Sequence, residues 1–426
     1  MSASAEMRAA GAAATGGTAP ATLLVLSQVY PPDPASVGQH MADVAAAMAA
    51  RGHRTVVLTA DRGYDEPERR FPRRERMGGV EVRRLPLSSF GKRSMVMRVL
   101  GGLSFAIQAV WAGFRLGRID RVLVSTSPPL AQLAGLLVSR MRRVPLTLWV
   151  MDLNPDQMVA LKLLPPGHPI VKLFDWLNRR VLTRARDVIV LDRFMAKRVL
   201  AKLDVAGKLT VLPPWPHEDH VAPTPKADNP FRREHGLKGK FVVMYSGNHG
   251  PSNPLTTALK AAVRLRDDPR FAFAFVGGGI GKSEVDAVAG PTILSLPYQP
   301  LDRLRYSLSA ADVHLVTIGD GVVGIVHPCK VYGAMAVARP ILLIGPEESH
   351  VGDLLAREQI GWRVAHGDVD GLVERLRSLA EGVSGDLGEI GQRARRVLHR
   401  GLSKDELCGR LCDILEQGSP AAHASR

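Results

Sequence analysis

Lys330 follows Pro328 and Cys329 within the stretch Val322–Pro340, and the apolar run Ile341–Ile344 comes directly after it. Pro328 sets φ for a first helical position, Val331, Met335 and Ala338 supply a buried side, and Arg339-Pro340 stops the helix before a strand. The free N–H groups of a helix start carry partial positive charge, so a lysine in that turn is unfavourable unless an anion lies between them. The anion this suggests is a phosphate. A surface lysine whose stem covers a helix start is the plainer alternative, and the rest of the chain weighs against it. Phe241–Ser246 reads as a strand running into Gly247-Asn248-His249-Gly250, and Phe271–Val276 as another running into Gly277–Gly281. Neither loop is GxGxxG, yet two strand-then-glycine turns in one half of the chain fit a crevice that holds a nucleotide.

Leu146–Met151 reads as a further strand, with Asp152, Asn154 and Asp156 around Pro155 at its carboxyl end. Carboxylates at that mouth of a parallel sheet are site candidates, and helix capping is their alternative role. Gly38 precedes a helix expected from about Gln39 to Arg51; it either lets backbone approach a phosphate or simply starts the helix. His217, Glu218, Asp219 and His220 are metal-ligand types, but they sit in a proline-rich exposed connection, so no metal site is expected. Cys408 and Cys412, four apart on a helix, read as small buried apolar groups.

Positioning these residues takes two runs of alternating strands and helices. In the first, Thr22–Tyr30, the helix after Gly38 and His53–Thr59 make a βαβ unit, and Arg121–Thr126, Leu146–Met151, Asp187–Leu191 and Lys208–Leu212 extend a parallel sheet. Arg62–Arg84 mixes both signs of charge and reads as a solvated loop. Met95–Phe114, between Lys92-Arg93 and Arg115, is apolar but holds Arg98, Gln108 and Gly101-Gly102, too polar for a single span. It reads as a basic-flanked helix lying on a membrane surface, with a core helix as the alternative. The expected layout is a disordered tail over 1–21, a first domain over 22–220 and a linker over 221–236; a second domain covers 237–402, a helix at 403–417 packs back on the first domain, and 418–426 is a tail.

A chain of 426 residues exceeds one ordinary core, and 46% apolar with 23% charged residues is a globular composition. Three cysteines without a CxxC pair suggest neither disulfide framework nor zinc staple, and a reducing cytoplasm fits. A net charge of +15 calls for an anionic partner. With 5% aromatic residues and no basic stretch interleaved with them, nucleic acid ranks below an anionic membrane surface. Met1–Pro20 lacks the basic start and long apolar core of a signal peptide.

Taken together, the order and spacing of several motifs resemble a family-4-like bacterial glycosyltransferase of the exopolysaccharide, capsule or O-antigen type. They are Gly38-Gln39-His40 with Ala49–His53, Ser125–Pro129, Asp152–Asp156, Tyr245–Gly250, Phe275–Gly279, Ala311–Leu315, and His327–Ala336 with Arg339-Pro340. The resemblance runs from about Thr22 to Glu416. It implies an α/β protein of GT-B fold, with two Rossmann-like domains facing across a cleft and the C-terminal helix returning to the first. The second domain would hold a nucleotide-diphosphate sugar and the first an acceptor. Gly247, Asn248, His249, Gly250, His327, Pro328 and Lys330 would contact the donor, with Gly38 approaching from the opposite side. Lys330 and, at the strand end where such enzymes often carry histidine, Asp152 would be catalytic. The family retains anomeric configuration and generally needs neither a metal nor a tightly bound cofactor.

Two departures stand out. Many relatives carry two glutamates eight positions apart before the Ala-Met-Ala segment, and those positions here are Ile325 and Gly333. Cys329 replaces the serine of a Pro-Ser-Lys form. The expected function is transfer of a hexose, an N-acetylhexose or a 6-deoxyhexose to a lipid-linked or polysaccharide acceptor, at the inner face of the cytoplasmic membrane. A sugar-nucleotide epimerase of the same fold, or a catalytically silent nucleotide- or membrane-binding relative, is the alternative.

Overall fold

A computed structural model describes residues 20–418 except 34, 64–67, 91–94, 127–129, 218–220 and 384; residues 95, 96 and 98 are described in backbone only. The expected tails, Lys92-Arg93, Ser127–Pro129 and the Glu218–His220 part of the acidic/His cluster therefore lie wholly or mostly outside the described residues.

The first half contains β1 (Thr22–Leu26), α1 (Ser36–Ala50), β2 (Arg54–Ala60), β3 (Arg74–Met77), β4 (Val80–Leu85), α2 (Met95–Arg115) and β5 (Arg121–Ser125). It continues with α3 (Ala131–Arg142), β6 (Leu146–Trp149), α4 (Asp156–Ala160), α5 (Pro169–Arg184), β7 (Asp187–Val190), α6 (Arg193–Lys202) and β8 (Leu209–Val211). These strands form one sheet in the order β3-β4-β2-β1-β5-β6-β7-β8, parallel except for β3. Near-continuous apolar runs such as Leu23–Leu26 and Val122–Val124 are buried on both faces, as central parallel strands require.

A second sheet follows. Its elements are α7 (Pro230–Glu234), β9 (Phe241–Ser246), α8 (Thr256–Arg264), β10 (Phe271–Val276), α9 (Lys282–Asp286), β11 (Ile293–Leu296), α10 (Leu301–Ser309) and β12 (Val313–Thr317). Then come α11 (Lys330–Ala336), β13 (Ile341–Ile344), α12 (His350–Glu358), β14 (Gly361–Val364), α13 (Val369–Ala380), α14 (Leu387–Gly401) and α15 (Lys404–Gln417). The order is β11-β10-β9-β12-β13-β14, all parallel. Helix α15 leaves this half and buries Leu407, Leu411, Ile414 and Leu415 in the core of the first sheet. Arg51 pairs there with Asp413 at 2.7 Å and with Glu416 at 3.0 Å.

Three expectations need correction. The mixed-charge stretch 62–84 is not simply a solvated loop, because β3 and β4 form a hairpin on the sheet edge. Val80 and Val82 alternate inward, while Glu81 and Arg83 point outward and pair with each other. Arg84 is buried, held by Glu75 and by the Pro31 carbonyl. Helix α1 starts at Ser36, which puts Gly38 inside its first turn. A Cβ there would lie 3.0 Å from the backbone of Val29 and Tyr30, so this glycine lets α1 sit against the chain leaving β1. The stretch expected as a linker is fastened to the second sheet: Phe231 of α7 and Leu237 pack with Val242 and Met244, and buried Arg232 pairs with Asp312 at 3.2 Å.

Candidate functional site

Strands β9 and β12 are parallel neighbours, so the loops at their carboxyl ends meet, and α11 starts there. Lys330, its first residue, is half-buried and folds over Gly247, where a Cβ would come within 2.6 Å of the lysine Cε. Its Nζ lies 5.4 Å from the centre of the Tyr245 ring. Among the described residues no carboxylate pairs with this amine, and burial lowers its pKa to about 8. A desolvated cation without a counter-charge is stabilised by whatever anion enters beside it.

The two glycine loops interlock backbone to backbone. Gly247 N–H donates to the Val276 carbonyl at 2.9 Å, His249 N–H to Gly278 at 2.7 Å and Gly281 N–H to His249 at 2.8 Å. A side chain at Gly277 would put its Cβ 2.0 Å from the Gly247 oxygen, and one at Gly279 would meet the Asn248 Oδ1 at 2.3 Å. Tyr245 O–H ties down the turn by donating to the Asn248 carbonyl at 2.7 Å. The His249 ring is buried against Tyr245, and neither ring nitrogen has a hydrogen-bond partner among the described residues. Burial first and the Lys282 charge second hold its pKa near 4, so it is neutral at neutral pH.

On the other side of Lys330 the chain is bolted to the first sheet. His327 Nδ1 lies 2.9 Å from Asp192, which also caps α6 by accepting from Phe194 and Met195 N–H. A carboxylate only accepts, so His327 donates to it. In the tautomer that pairs every atom, His327 Nε2 accepts from Tyr332 O–H at 2.8 Å and Tyr332 accepts from His350 Nε2 at 3.1 Å. Burial would raise the Asp192 pKa, but the His327 contact and the capping amides pull it below the usual carboxylate range. Burial and neighbouring His327 push His350 down to about 3. Asp192, His327 and His350 are also close enough to hold a metal, with ligand atoms within 4.8 Å of one another, although the relay already satisfies them.

The loop before α11 completes this junction. Leu153 N–H donates to the Ile325 carbonyl at 3.0 Å, and Arg198 Nε donates to Val323 at 2.6 Å. Gly324, at φ +70°, passes so close to Phe194 that a Cβ would stand 2.6 Å from its carbonyl. Ile325 is buried in the core of the first sheet. At this position, where the resemblance implied glutamate, the chain therefore joins its halves, and buried Gly333 lies beside Leu308.

Of the residues expected at the site, Gly247, Asn248, His249, Gly250 and Lys330 come together, and His327 and Pro328 lead directly into them. Asp152 lies one residue from the Leu153–Ile325 bond, its backbone held by Thr126 Oγ1, which accepts from its N–H at 3.1 Å. Asp156 instead pairs with Lys202 at 2.8 Å. His217 packs on His40, 3.2 Å away, beside α1. Gly38 has its nearest neighbours in the first half. Sequence reasoning missed Asp192, Tyr332 and His350. Asp192 follows strand β7 as Asp152 follows β6, so the same strand-end signal was available.

Residues 36–215 match the family described as glycosyl transferase 4-like domain. The probable glycosyltransferase WbjE of Pseudomonas aeruginosa is 28% identical over 297 residues, 68% of this chain and 72% of that protein. The putative colanic acid biosynthesis glycosyl transferase WcaI of Escherichia coli is 27% identical over 350 residues, 78% of this chain and 85% of the other. Among solved structures, sucrose-phosphate synthase from Thermosynechococcus elongatus superposes with a TM-score of 0.74 at 15% identity, covering 95% of this chain and all of that one. Anabaena HepE in complex with UDP-glucose gives 0.67 at 13% identity over 92% and 99% of the two chains. The fold is GT-B, and the resemblance to family-4-like bacterial glycosyltransferases holds.

Proposed function

We propose that this glycosyltransferase, whose residues 36–215 match the 4-like domain, moves a hexose from a nucleotide-diphosphate sugar to a lipid-linked or polysaccharide acceptor with retention of configuration. The carrying observation is Lys330, half-buried over Gly247 of the first of two interlocked glycine loops and without a carboxylate partner among the described residues. Glycosyl transfer leaves two negative charges on the departing diphosphate while the sugar carbon becomes oxocarbenium-like. Fixed donors on the leaving group lower that barrier, and losing one typically slows the reaction roughly 100-fold. Lys330 and the free amides of the Gly247–Gly250 turn are the donors this chain offers.

In this reading the 237–402 half binds the donor and the 22–220 half the acceptor, with Gly38 facing the diphosphate and Asp152 the incoming hydroxyl. No metal is required. The name of WcaI, a putative colanic acid biosynthesis glycosyl transferase, supports polysaccharide synthesis, and HepE, solved with UDP-glucose, supports a nucleotide-diphosphate donor. Among the described residues no helix is long and apolar enough to cross a membrane, which accords with peripheral attachment at the inner leaflet. The test is UDP titration of the wild type and Lys330→Ala by thermal unfolding, with sugar transfer measured in parallel. UDP should stabilise the wild type alone and Lys330→Ala should lose about 100-fold in rate. Near-normal turnover by Lys330→Ala would remove the assignment.

A further inference from the structure

Right-handed crossovers place α1 on one face of the first sheet and α2, α3 and α5 on the other, where α2 packs on α3 and α3 on α5. Helix α2 turns Phe105 and a row of small residues to the core and keeps most of its large side chains outside. Its small residues point inward: a Cβ on Gly102 would lie 3.1 Å from Leu130, and one on Gly113 would lie 2.9 Å from Val138. Its bulky residues Leu100, Leu103, Ile107, Trp111 and Phe114 form an outward stripe at three- and four-residue spacing, with Ile107 66% and Trp111 61% exposed. Leu137 and Met141 continue the surface on α3, and Ile170, Leu173 and Trp176 on α5. A single exposed apolar residue is ordinary; a row of large apolar side chains exposed on each of three adjacent helices is a docking face.

Charge identifies the occupant. From Met95 to Arg184 the sequence has twelve lysines and arginines against four aspartates and no glutamate. Arg115 stacks over Trp111 at 4.5 Å and Arg180 over Trp176 at 5.2 Å, so each exposed indole carries a guanidinium beside it. Aromatic rings with cations at their edges suit the headgroup level of a bilayer, whereas a second copy of the same face would oppose like charges. The N-terminal ends of α2 and α5 lie at the carboxyl edge of the sheet, the edge that carries Asp152. We propose that the outer surface of α2, α3 and α5 docks on an anionic lipid bilayer and that the sugar acceptor is carried by a lipid in that bilayer. The acceptor part rests on the transfer reaction proposed above.

Co-sedimentation with phosphatidylglycerol-containing and pure phosphatidylcholine vesicles tests the docking. The wild type should bind the anionic vesicles and release them at high salt, and Trp111→Ser/Trp176→Ser should bind at least about tenfold more weakly with an unchanged unfolding curve. Equal binding to both vesicle types, wild-type binding by the double variant, or a wild-type dimer that the double variant dissolves without any vesicle binding would overturn it. UDP stabilisation is followed alongside, so failed vesicle binding with intact UDP binding sinks this inference alone, and the reverse sinks only the donor assignment. With isolated cell membranes as acceptor source, labelled sugar should enter the organic-extractable fraction; label confined to water-soluble glycan would refute the lipid-borne acceptor.

Discussion

Gly247→Ala separates fold from function at one atom. The residue sits at φ +136°, and the new methyl would lie 2.6 Å from Lys330 Cε and 3.1 Å from Cδ. That φ lies outside the left-handed helical region, and holding an alanine there costs about 1–3 kcal/mol. The clash itself falls on a flexible stem, which can swing aside at little cost to the fold but carries the amine off the diphosphate position. Stability should therefore drop by about 1–3 kcal/mol while transfer slows by about 100-fold, as for loss of a leaving-group donor. The decisive comparison is a double-mutant cycle with Lys330→Ala, followed by thermal unfolding and initial transfer rates. In the Lys330→Ala background Gly247→Ala should retain its stability cost and add almost nothing to the loss of rate, because the group it displaces is already gone. Rate losses that multiply in the double variant would show that Gly247 acts independently of Lys330 and refute the packing argument.

Asp192→Ala should lower stability by about 2–4 kcal/mol in urea unfolding, since it removes a helix cap and leaves His327 Nδ1 buried without an acceptor; Asp192→Asn keeps the cap and should lose clearly less. UDP affinity should be highest below pH 8 and fall as pH rises through about 8, because the Lys330 ammonium is the binding form; Lys330→Arg, which stays charged, should hold its affinity to higher pH in calorimetric titration. The same lowered pKa gives the opposite sign for the free protein. Between about 8 and 10.5 the unfolded chain binds more protons at this lysine than the folded one, so Lys330 contributes stability that rises with pH, and Lys330→Met should remove that contribution from the unfolding profile.

The sheet strands were legible because parallel strands buried on both faces leave unbroken apolar runs, as in Leu23–Leu26 and Phe271–Val276. Lys330 and the Gly247 loop could be joined in advance because both follow strands and strand-following loops share one edge of a parallel sheet. The hairpin at 74–85 was hidden by its edge position, where Val80, Val82 and Leu85 are the buried apolar side chains and charged residues fill much of the rest. The relay from Asp192 to His350 spans 158 residues and depends on how the two halves meet, which no local pattern encodes. The Ile325 substitution read as a missing glutamate; only its burial against the first half shows what the position does here.

A crystal structure with UDP bound tests the central claim most directly. The account predicts a diphosphate oxygen within about 3 Å of Lys330 Nζ, with others on the free amides of the Gly247–Gly250 turn. A diphosphate seated elsewhere, for instance in the arginine-lined hollow between α12 and α14 formed by Arg357, Arg393, Arg396 and Arg400, would contradict it.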